Sequence, residues 1–289
     1  MWGHDSIRAT MRYVKSEAPL ICVVGPTASG KSARAVALAK ERNGEVISVD
    51  SRQVYRTLDI GTEKTMPEDM DGIPHHLIDI CDPRDVYSAG DFVKDATRLI
   101  AEIESRGKRP ILAGGTHFYF DALLYGLPIE TEPNAPLRAE LEQLTTEALA
   151  ARITERDPRR AERIDLHNRR RIIRALEIIE EHGHVPERDT NTMQYEVVWE
   201  IVDPSREVLR ERINARLRTA FERGLVDEVA RTRAYVGDER LNELGLEYRV
   251  VGEFLRGERA EDSLIPTLEN KLWHYARHQK SWLRHLGLT

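Results

Sequence analysis

"LICVVGPTASGKSARAVALAKER", residues 20–42, decides the fold. Five apolar residues, Leu20 to Val24, read as a short buried strand, and "KSARAVALAKERNG" reads as a helix stopped by Gly44. Between them, Gly25, Pro26, Thr27, Ala28, Ser29, Gly30, Lys31 and Ser32 fit G-x-x-x-x-G-K-[ST]. In a strand–turn–helix setting the backbone N–H groups of such a turn and the positive end of the helix converge on an anion. Lys31 adds a point charge, and the Ser32 hydroxyl is a candidate magnesium ligand. The eight residues alone leave open whether a phosphoryl group is transferred or only held.

Outward from this stretch, the text up to about residue 125 alternates strand and helix. "EVISV" (45–49) is a second apolar strand. A helix carries Phe92, Val93, Ala96, Leu99, Ile100 and Ile103 on one face and stops at Gly107, and "PILAGGT" is a further strand. This is the pattern of a parallel sheet with helices on both faces. A nearly all-helical block follows, "YEVVWEIV" (195–202) returns as a strand, and helices run to the end, among them "LVDEVARTRAYVG", read as closing at Gly237. The expected architecture is α/β: a sheet of the phosphate-loop type flanked by helices in residues 19–130 and 195–289, with a mainly helical lobe inserted at 131–194. Residues 1–18 read as an extension with no apolar centre. A cleft is expected beside the phosphate loop.

The 289 residues carry a net charge of −6, with 40% hydrophobic and 32% charged residues, an ordinary globular composition. No apolar run approaches the roughly 20 residues of a membrane span, so no membrane contact is expected. Cys22 and Cys81 are too few for a disulfide framework or zinc finger, which together with the absence of a signal-like leader points to a reducing cytoplasm. The charge is unevenly spread. "PRRAERIDLHNRRRIIR" (158–174) is locally +5 and "NKLWHYARHQKSWLRH" (270–285) is +4, leaving the remainder at −15. An acidic body with two basic, aromatic-bearing segments suits a localised polyanion contact. The alternative for each is a solvated helix face with its own ion pairs.

Enzymes that transfer phosphoryl groups on this scaffold carry an acid at the end of an apolar strand. "PILAGGT" ends in Gly114, Gly115 and Thr116 instead. The acid is Asp50, at the carboxyl end of "EVISV", where strand ends point into the site. It can hold magnesium through water, act as a base, or merely cap the turn that follows. Ser51 and Gln53 are hydrogen-bonding residues of the kind that read a base edge. His75 and His76, adjacent and without an evident third ligand, are read as structural.

"GPTASGKS", "ISVDSRQVYRTLDIGTEK", "PHHLIDICDP", "YSAGDF" and "PILAGGTHFYFDALLYGL", then "RRRIIRALEI", "RERINARLRTAFERGLVDEV" and "RHQKSWLR", occur in this order. The chain thereby resembles the tRNA dimethylallyltransferases, prenyl-transferring enzymes of bacteria, over roughly residues 20 to 285. "LGLEYR" departs from the Gly-Tyr-Arg/Lys-Glu that many members carry there, and no role is assigned to it.

The resemblance implies transfer of a dimethylallyl group from dimethylallyl diphosphate to N6 of the adenosine 3′ of the anticodon, in tRNAs reading codons that begin with U, with release of pyrophosphate. It implies Asp50 as the base, with Thr27, Arg216 and Thr116 also in the catalytic set. The diphosphate falls to Gly25–Ser32 and Arg216, with Mg2+ on Ser32 and on Asp50 through water. A tRNA anticodon stem-loop would meet Asp50, Ser51, Arg52, Gln53, Thr116, Arg138, Arg170, Arg171, Arg174, Lys280 and Arg284, and the enzyme would act as a monomer. Rival readings are an isopentenyltransferase acting on free AMP, ADP or ATP, a small-molecule kinase, and a non-catalytic RNA-binding module. The basic segments are surplus to the first two.

Overall fold

The computed structural model describes residues 18–127, 134–186 and 193–288. All of the N-terminal extension except Ala18 lies outside them. One compact unit runs to Leu124 and resumes at Met193, and the other begins at Tyr125. The observed division thus lies a few residues before the sequence-derived limits of the helical lobe.

In the first unit the chain forms β1 (Leu20–Val24), α1 (Lys31–Arg42), β2 (Gly44–Val49), α2 (Pro67–Met70), β3 (His75–His76), α3 (Ala89–Ser105), β4 (Arg109–Gly114) and α4 (His117–Tyr125). The second unit holds α5 (Ala135–Leu141), α6 (Thr146–Arg156), α7 (Pro158–Ala161) and α8 (Arg169–His182). The first then resumes with β5 (Val197–Ile201), α9 (Arg206–Glu222), α10 (Leu225–Leu241), α11 (Leu246–Leu255) and α12 (Leu264–His285).

All five strands are parallel, in the order β3-β2-β4-β1-β5. The interior strands are covered on both faces, so they read as continuous apolar runs rather than alternating ones, and β2 is buried at every position. Val23, Val46 and Ile111 from three strands pack on Ala35, Leu38 and Ala39 of α1. The six apolar positions predicted for α3 are all buried, and its start is fixed by a capping box between Ser88 and Asp91. Helices α9 to α12 share a second core with Val54, Tyr55 and Leu58. The helical unit has its own, built on Leu141, Leu149, Ile153, Ile172, Leu176 and Ile179.

Two predicted stops differ from the structure. Helix α1 ends at Arg42, with Asn43 in the left-handed conformation (φ 51°), and Gly44 is already the first residue of β2. Asparagine tolerates that conformation because its short amide bonds locally. Helix α10 does not stop at Gly237, which kinks it at φ 80° before it resumes to Leu241. Cys22 is buried in β1 and both cysteines are free, as the sequence indicates. No helix of the described residues is long and apolar enough to cross a membrane.

Glu45 stands at the opposite end of β2 from the site, almost fully buried, and accepts hydrogen bonds from His76 and Arg106 at 2.7 Å, with Lys108 3.0 Å away. This is what the His pair does: His76 holds Glu45, and His75 bonds the Ile73 carbonyl. Burial alone raises the Glu45 carboxyl, but the hydrogen bonds it accepts from His76, Arg106 and Lys108, with the charge of Arg106, outweigh it and bring it down to about 2 from 4.5. A depressed carboxylate stabilises the fold above its unfolded value and stops doing so as pH falls toward the folded one. Glu45→Gln is expected to cost about 2 kcal/mol at neutral pH. In thermal melts the gap to wild type should close between pH 4.5 and 2, and a gap independent of pH would refute the assignment.

Candidate active site

Parallel strands deliver all their carboxyl ends to one edge of the sheet, and the loops leaving those ends build the site. After β1 comes the glycine turn. Gly25 has no room for a side chain, since a Cβ there would lie 2.2 Å from the Val202 carbonyl oxygen. Gly30 enters α1 at φ 98°, a conformation a side chain disfavours. The turn is gripped from the far end of the sequence. The amide of Gln279 on α12 accepts from the Thr27 N–H at 2.7 Å and donates to the Gly115 carbonyl at 3.0 Å, tying the β1 and β4 loops together. From α9, Arg212 donates to the Ser29 carbonyl at 2.7 Å and Arg216 donates to the Thr27 hydroxyl at 2.6 Å. Arg212 and Arg216, one helical turn apart, therefore both reach the cradle, Arg216 half-buried and Arg212 still largely exposed. Ser29 is buried, and its hydroxyl has no partner among the described residues.

Lys31 donates to the Pro26 carbonyl at 2.7 Å. Burial pushes its ammonium down to about 8, against the opposing pull of Asp50 and Glu63. Asp50 is thus within electrostatic reach of the cradle lysine. The capping reading of Asp50 holds. One carboxylate oxygen accepts from the backbone N–H groups of Arg52 (2.8 Å) and Gln53 (3.3 Å), closing the turn, and the other accepts nothing from the described residues. Thr116 reaches across from β4: its hydroxyl accepts from the Ser51 N–H at 3.0 Å, while its own N–H bonds the Val49 carbonyl. The amide of Gln53 donates to the carbonyls of Thr62 (3.4 Å) and Glu63 (3.0 Å), so this end of the side chain is engaged within the protein.

Several site residues escaped the sequence. Glu247 and Tyr248 lie in "LGLEYR", to which no role was given. Buried Glu247 bonds Arg216 at 3.1 Å, and burial raises its carboxyl despite that arginine. Tyr248 donates to Glu228 at 2.6 Å. Glu228, buried on α10, also accepts the N–H groups of Asp59, Ile60 and Gly61 and so fixes the loop of "DIGTEK". His117 stacks on Trp282 at 4.3 Å, and burial, then Lys31, drives its imidazole down to about 4. Tyr275 on α12 is 41% exposed as a whole, yet desolvation at its hydroxyl, and then Asp50, push it up to about 12. Buried carboxylates, stacked histidines and a lone tyrosine have no local spacing signature, so only the fold brings them together.

Trp282, half-buried, packs against Phe120 and Trp199, and Trp273, also half-buried, packs on the α9–α12 core beneath Arg206 and Arg210. Lys280 pairs with Asp203 at 2.8 Å, and Arg284 is exposed. In the helical unit the predicted basic segment divides by role. Arg138 forks onto buried Glu177 at 2.8 and 2.9 Å, and Arg174 joins it at 3.2 Å. Arg169 donates to the carbonyls of Leu141, Glu142 and Leu144. Arg170 and Arg171 are exposed on α8.

A family model described as IPP transferase matches residues 53–286. The chain is 42% identical over 276 residues to a tRNA dimethylallyltransferase of Thermomicrobium roseum, covering 93% of this chain and 84% of that protein. A solved tRNA isopentenylpyrophosphate transferase from Bacillus halodurans is similar at a TM-score of 0.69 and 39% identity, over 92% of this chain and 86% of that one. A eukaryotic dimethylallyltransferase, solved acting on tRNA, is similar at a TM-score of 0.79 and 28% identity, over 92% of this chain and 69% of that one.

Gln279 provides the first test of this geometry. Gln279→Leu keeps the volume but strands the Thr27 N–H and the Gly115 carbonyl, both satisfied only by that amide in the pairs above. Chemical denaturation should show a loss of about 2 kcal/mol. A loss below about 0.5 kcal/mol, the scale of an ordinary surface substitution, would mean the bridge is not formed.

Proposed function

The chain belongs to the IPP transferase family, and from that membership we propose how its own residues move a dimethylallyl group from dimethylallyl diphosphate to an adenosine amine of tRNA. The family relatives named above are tRNA enzymes, and this chain is a tRNA-modifying prenyltransferase of the same kind. The adenosine 3′ of the anticodon is the acceptor we propose, in tRNAs reading codons that begin with U, with a single copy of the chain sufficing. One observation carries this reading. The cradle of β1, Asp50 after β2, Thr116 after β4 and Arg216 of α9 meet at one edge of the sheet, and Arg216 bonds Thr27 inside the cradle at 2.6 Å.

The adenine exocyclic amine is a weak nucleophile because its lone pair is delocalised into the ring. As its nitrogen bonds the terminal carbon of the dimethylallyl group, the carbon–oxygen bond to the diphosphate breaks and the electron pair leaves with that oxygen. The nitrogen becomes cationic and gives up a proton, which the unbonded oxygen of Asp50 accepts. Negative charge builds on the departing diphosphate, where the turn N–H groups, Lys31 and the guanidinium of Arg216 oppose it. Thr27, whose hydroxyl Arg216 holds, and Thr116, whose hydroxyl holds the Ser51 N–H, complete the catalytic set we propose. The Ser29 hydroxyl, buried and without a partner among the described residues, is a further group for the ligand to satisfy.

Residues suited to Mg2+ are present. Ser32 is exposed at the first turn of α1, and the donors near the cradle are oxygens, the hard type magnesium takes. Among the described residues no group of three His, Cys, Asp or Glu could hold a metal unaided. Magnesium usually binds through one or two protein oxygens and the substrate's phosphates. Ser32, and Asp50 through water, would hold it, and the ion would neutralise charge on the leaving diphosphate.

RNA enters this reading through exposed basic residues. Arg170 and Arg171 on α8 and Arg284 on α12 are the exposed arginines that would meet phosphate, and Arg52, Ser51 and Gln53 would meet the base beside Asp50. Arg138 and Arg174, held by Glu177, shape α8 and keep part of their charge for a polyanion. A flipped base in a single-stranded loop is the least costly one to unstack.

Asp50→Asn separates base from cap, since an amide oxygen still closes the turn. Single-turnover prenylation of an unmodified tRNA should slow by about 10²–10⁴-fold with donor affinity nearly unchanged. Full activity would exclude Asp50 as the base. Lys31 yields a pH test. A lysine lowered to about 8 is charged below that pH and neutral above it, so affinity for the donor should be flat below pH 8 and fall above it. The slope should approach about tenfold per pH unit and vanish in Lys31→Met. A profile unchanged by that substitution would assign the titration to another group.

A further inference from the structure

Glu63 is placed against Arg216 by more of the structure than a surface carboxylate needs. Its loop is fixed at three points. Glu228 accepts the N–H groups of Asp59, Ile60 and Gly61 at 2.8 to 3.0 Å. Buried Lys64 bonds the Tyr55 carbonyl at 2.8 Å and Asp59 at 2.6 Å. The Gln53 amide holds the Glu63 carbonyl itself at 3.0 Å. Within this frame Glu63 adopts φ 51°, a left-handed conformation that a residue with a Cβ disfavours and glycine would take freely. Strain of this kind at a fixed loop is a sign that the side chain has a task.

That side chain reaches Arg216. The Nη1 end of the guanidinium has two hydrogens, and it faces both the Thr27 hydroxyl at 2.6 Å and a Glu63 carboxylate oxygen at 3.0 Å. The other end, Nη2, bonds Glu247 at 3.1 Å. The two carboxylates differ in what leaving would cost them. The Glu247 side chain is 11% exposed and Arg216 is 14% exposed, whereas Glu63 is 52% exposed and can turn into water without losing buried contacts. Glu247 is the resident partner and Glu63 the exchangeable one. An incoming anion can use Nη1 only by displacing what is there.

We propose that the Glu63 carboxylate is a displaceable stand-in for diphosphate: it occupies Arg216 in the empty site, yields to the donor, and returns to help expel pyrophosphate. The inference rests on the reading of residues 25–32 and Arg216 as the diphosphate site. It assigns to Glu63 the setting of anion affinity, with a weaker grip on both donor and product as the result. Glu63 competes with anions for Arg216; it does not act on the reacting carbon or nitrogen.

Titration calorimetry with inorganic pyrophosphate, with and without Mg2+, tests it on the full chain. Glu63→Gln keeps the shape and removes the charge, and should tighten pyrophosphate binding by about fivefold, the scale of one partly exposed ion pair. Glu63→Ala should tighten it similarly, and the pyrophosphate concentration that half-inhibits tRNA prenylation should fall in proportion. Misfolding cannot produce tighter binding, so loss of structure cannot imitate the result. Unchanged or weaker binding in both variants would overturn the proposal. Weakening seen only with Mg2+ would also overturn it, by making Glu63 a metal ligand. If the wild-type chain binds no pyrophosphate, the diphosphate reading itself falls, a different outcome from binding that ignores residue 63.

Discussion

The amide of Gln279 is the interaction on which the site depends. A glycine turn that presents N–H groups to an anion cannot satisfy those groups itself, and its carbonyls repel the same anion. The chain therefore stabilises the turn from outside, with helices that arrive late in the sequence. Gln279 takes the Thr27 N–H and gives a hydrogen bond to the Gly115 carbonyl, while Arg212 and Arg216 from α9 hold Ser29 and Thr27. Four contacts from α9 and α12 thus fix the relative placement of loops that leave different strands. Such a site is assembled only when the last helix has docked. Binding, in the linkage sense, then stabilises the C-terminal helices as much as the cradle.

Much of the fold was legible because it is written in short-range terms. The apolar runs of β1 and β2, the six-residue face of α3 and the phosphate-loop spacing are local patterns, and each appears where the sequence places it. Errors came where two residues compete for one job. Asn43 and Gly44 both suit a helix end, and the asparagine took it because Gly44 is needed inside the sheet, where a Cβ would lie 2.8 Å from the Arg109 carbonyl oxygen. Gly237 is a kink rather than a stop because residues beyond it still pack on the α9–α12 core through Leu241.

The site was legible only in part, for a related reason. Lys31, Asp50, Thr116 and Arg216 stand beside recognisable punctuation or within a family pattern. Glu228 and Gln279 lie inside the resembling stretches without a role that the resemblance gives them, and Glu247 lies in the departing "LGLEYR". Each is a polar residue on the buried face of a helix, and the partners of its side chain lie twenty or more positions away. From the sequence such a residue reads as a break in amphipathicity. Only the loops it meets reveal that it orders the site. The arginine segment of the helical unit errs in the other direction: it looks uniformly basic, yet Arg169, Arg138 and Arg174 are committed to carbonyls and to Glu177. Charge counts overstate what such a surface offers a polyanion.

Asp50 shows how a constraint of folding becomes a constraint on chemistry. A carboxylate free to rotate would place either oxygen at the amine and hold neither there. Closing the turn on Arg52 and Gln53 fixes one oxygen and so aims the other, without a further residue dedicated to orienting it. The same turn begins the segment that carries Gln53 to the Glu63 loop, so the direction of the proposed base and the placement of the Glu63 loop against Arg216 share one piece of backbone. Charge follows the same economy. Asp50, Glu63 and Glu247 surround Lys31 and Arg216, and an anion enters a site whose cations already have partners. Selectivity then favours a ligand with enough charge to outcompete a carboxylate, which a diphosphate has and a single carboxylate or phosphate monoester has less of. A site with unpaired cations would hold its product as firmly as its substrate.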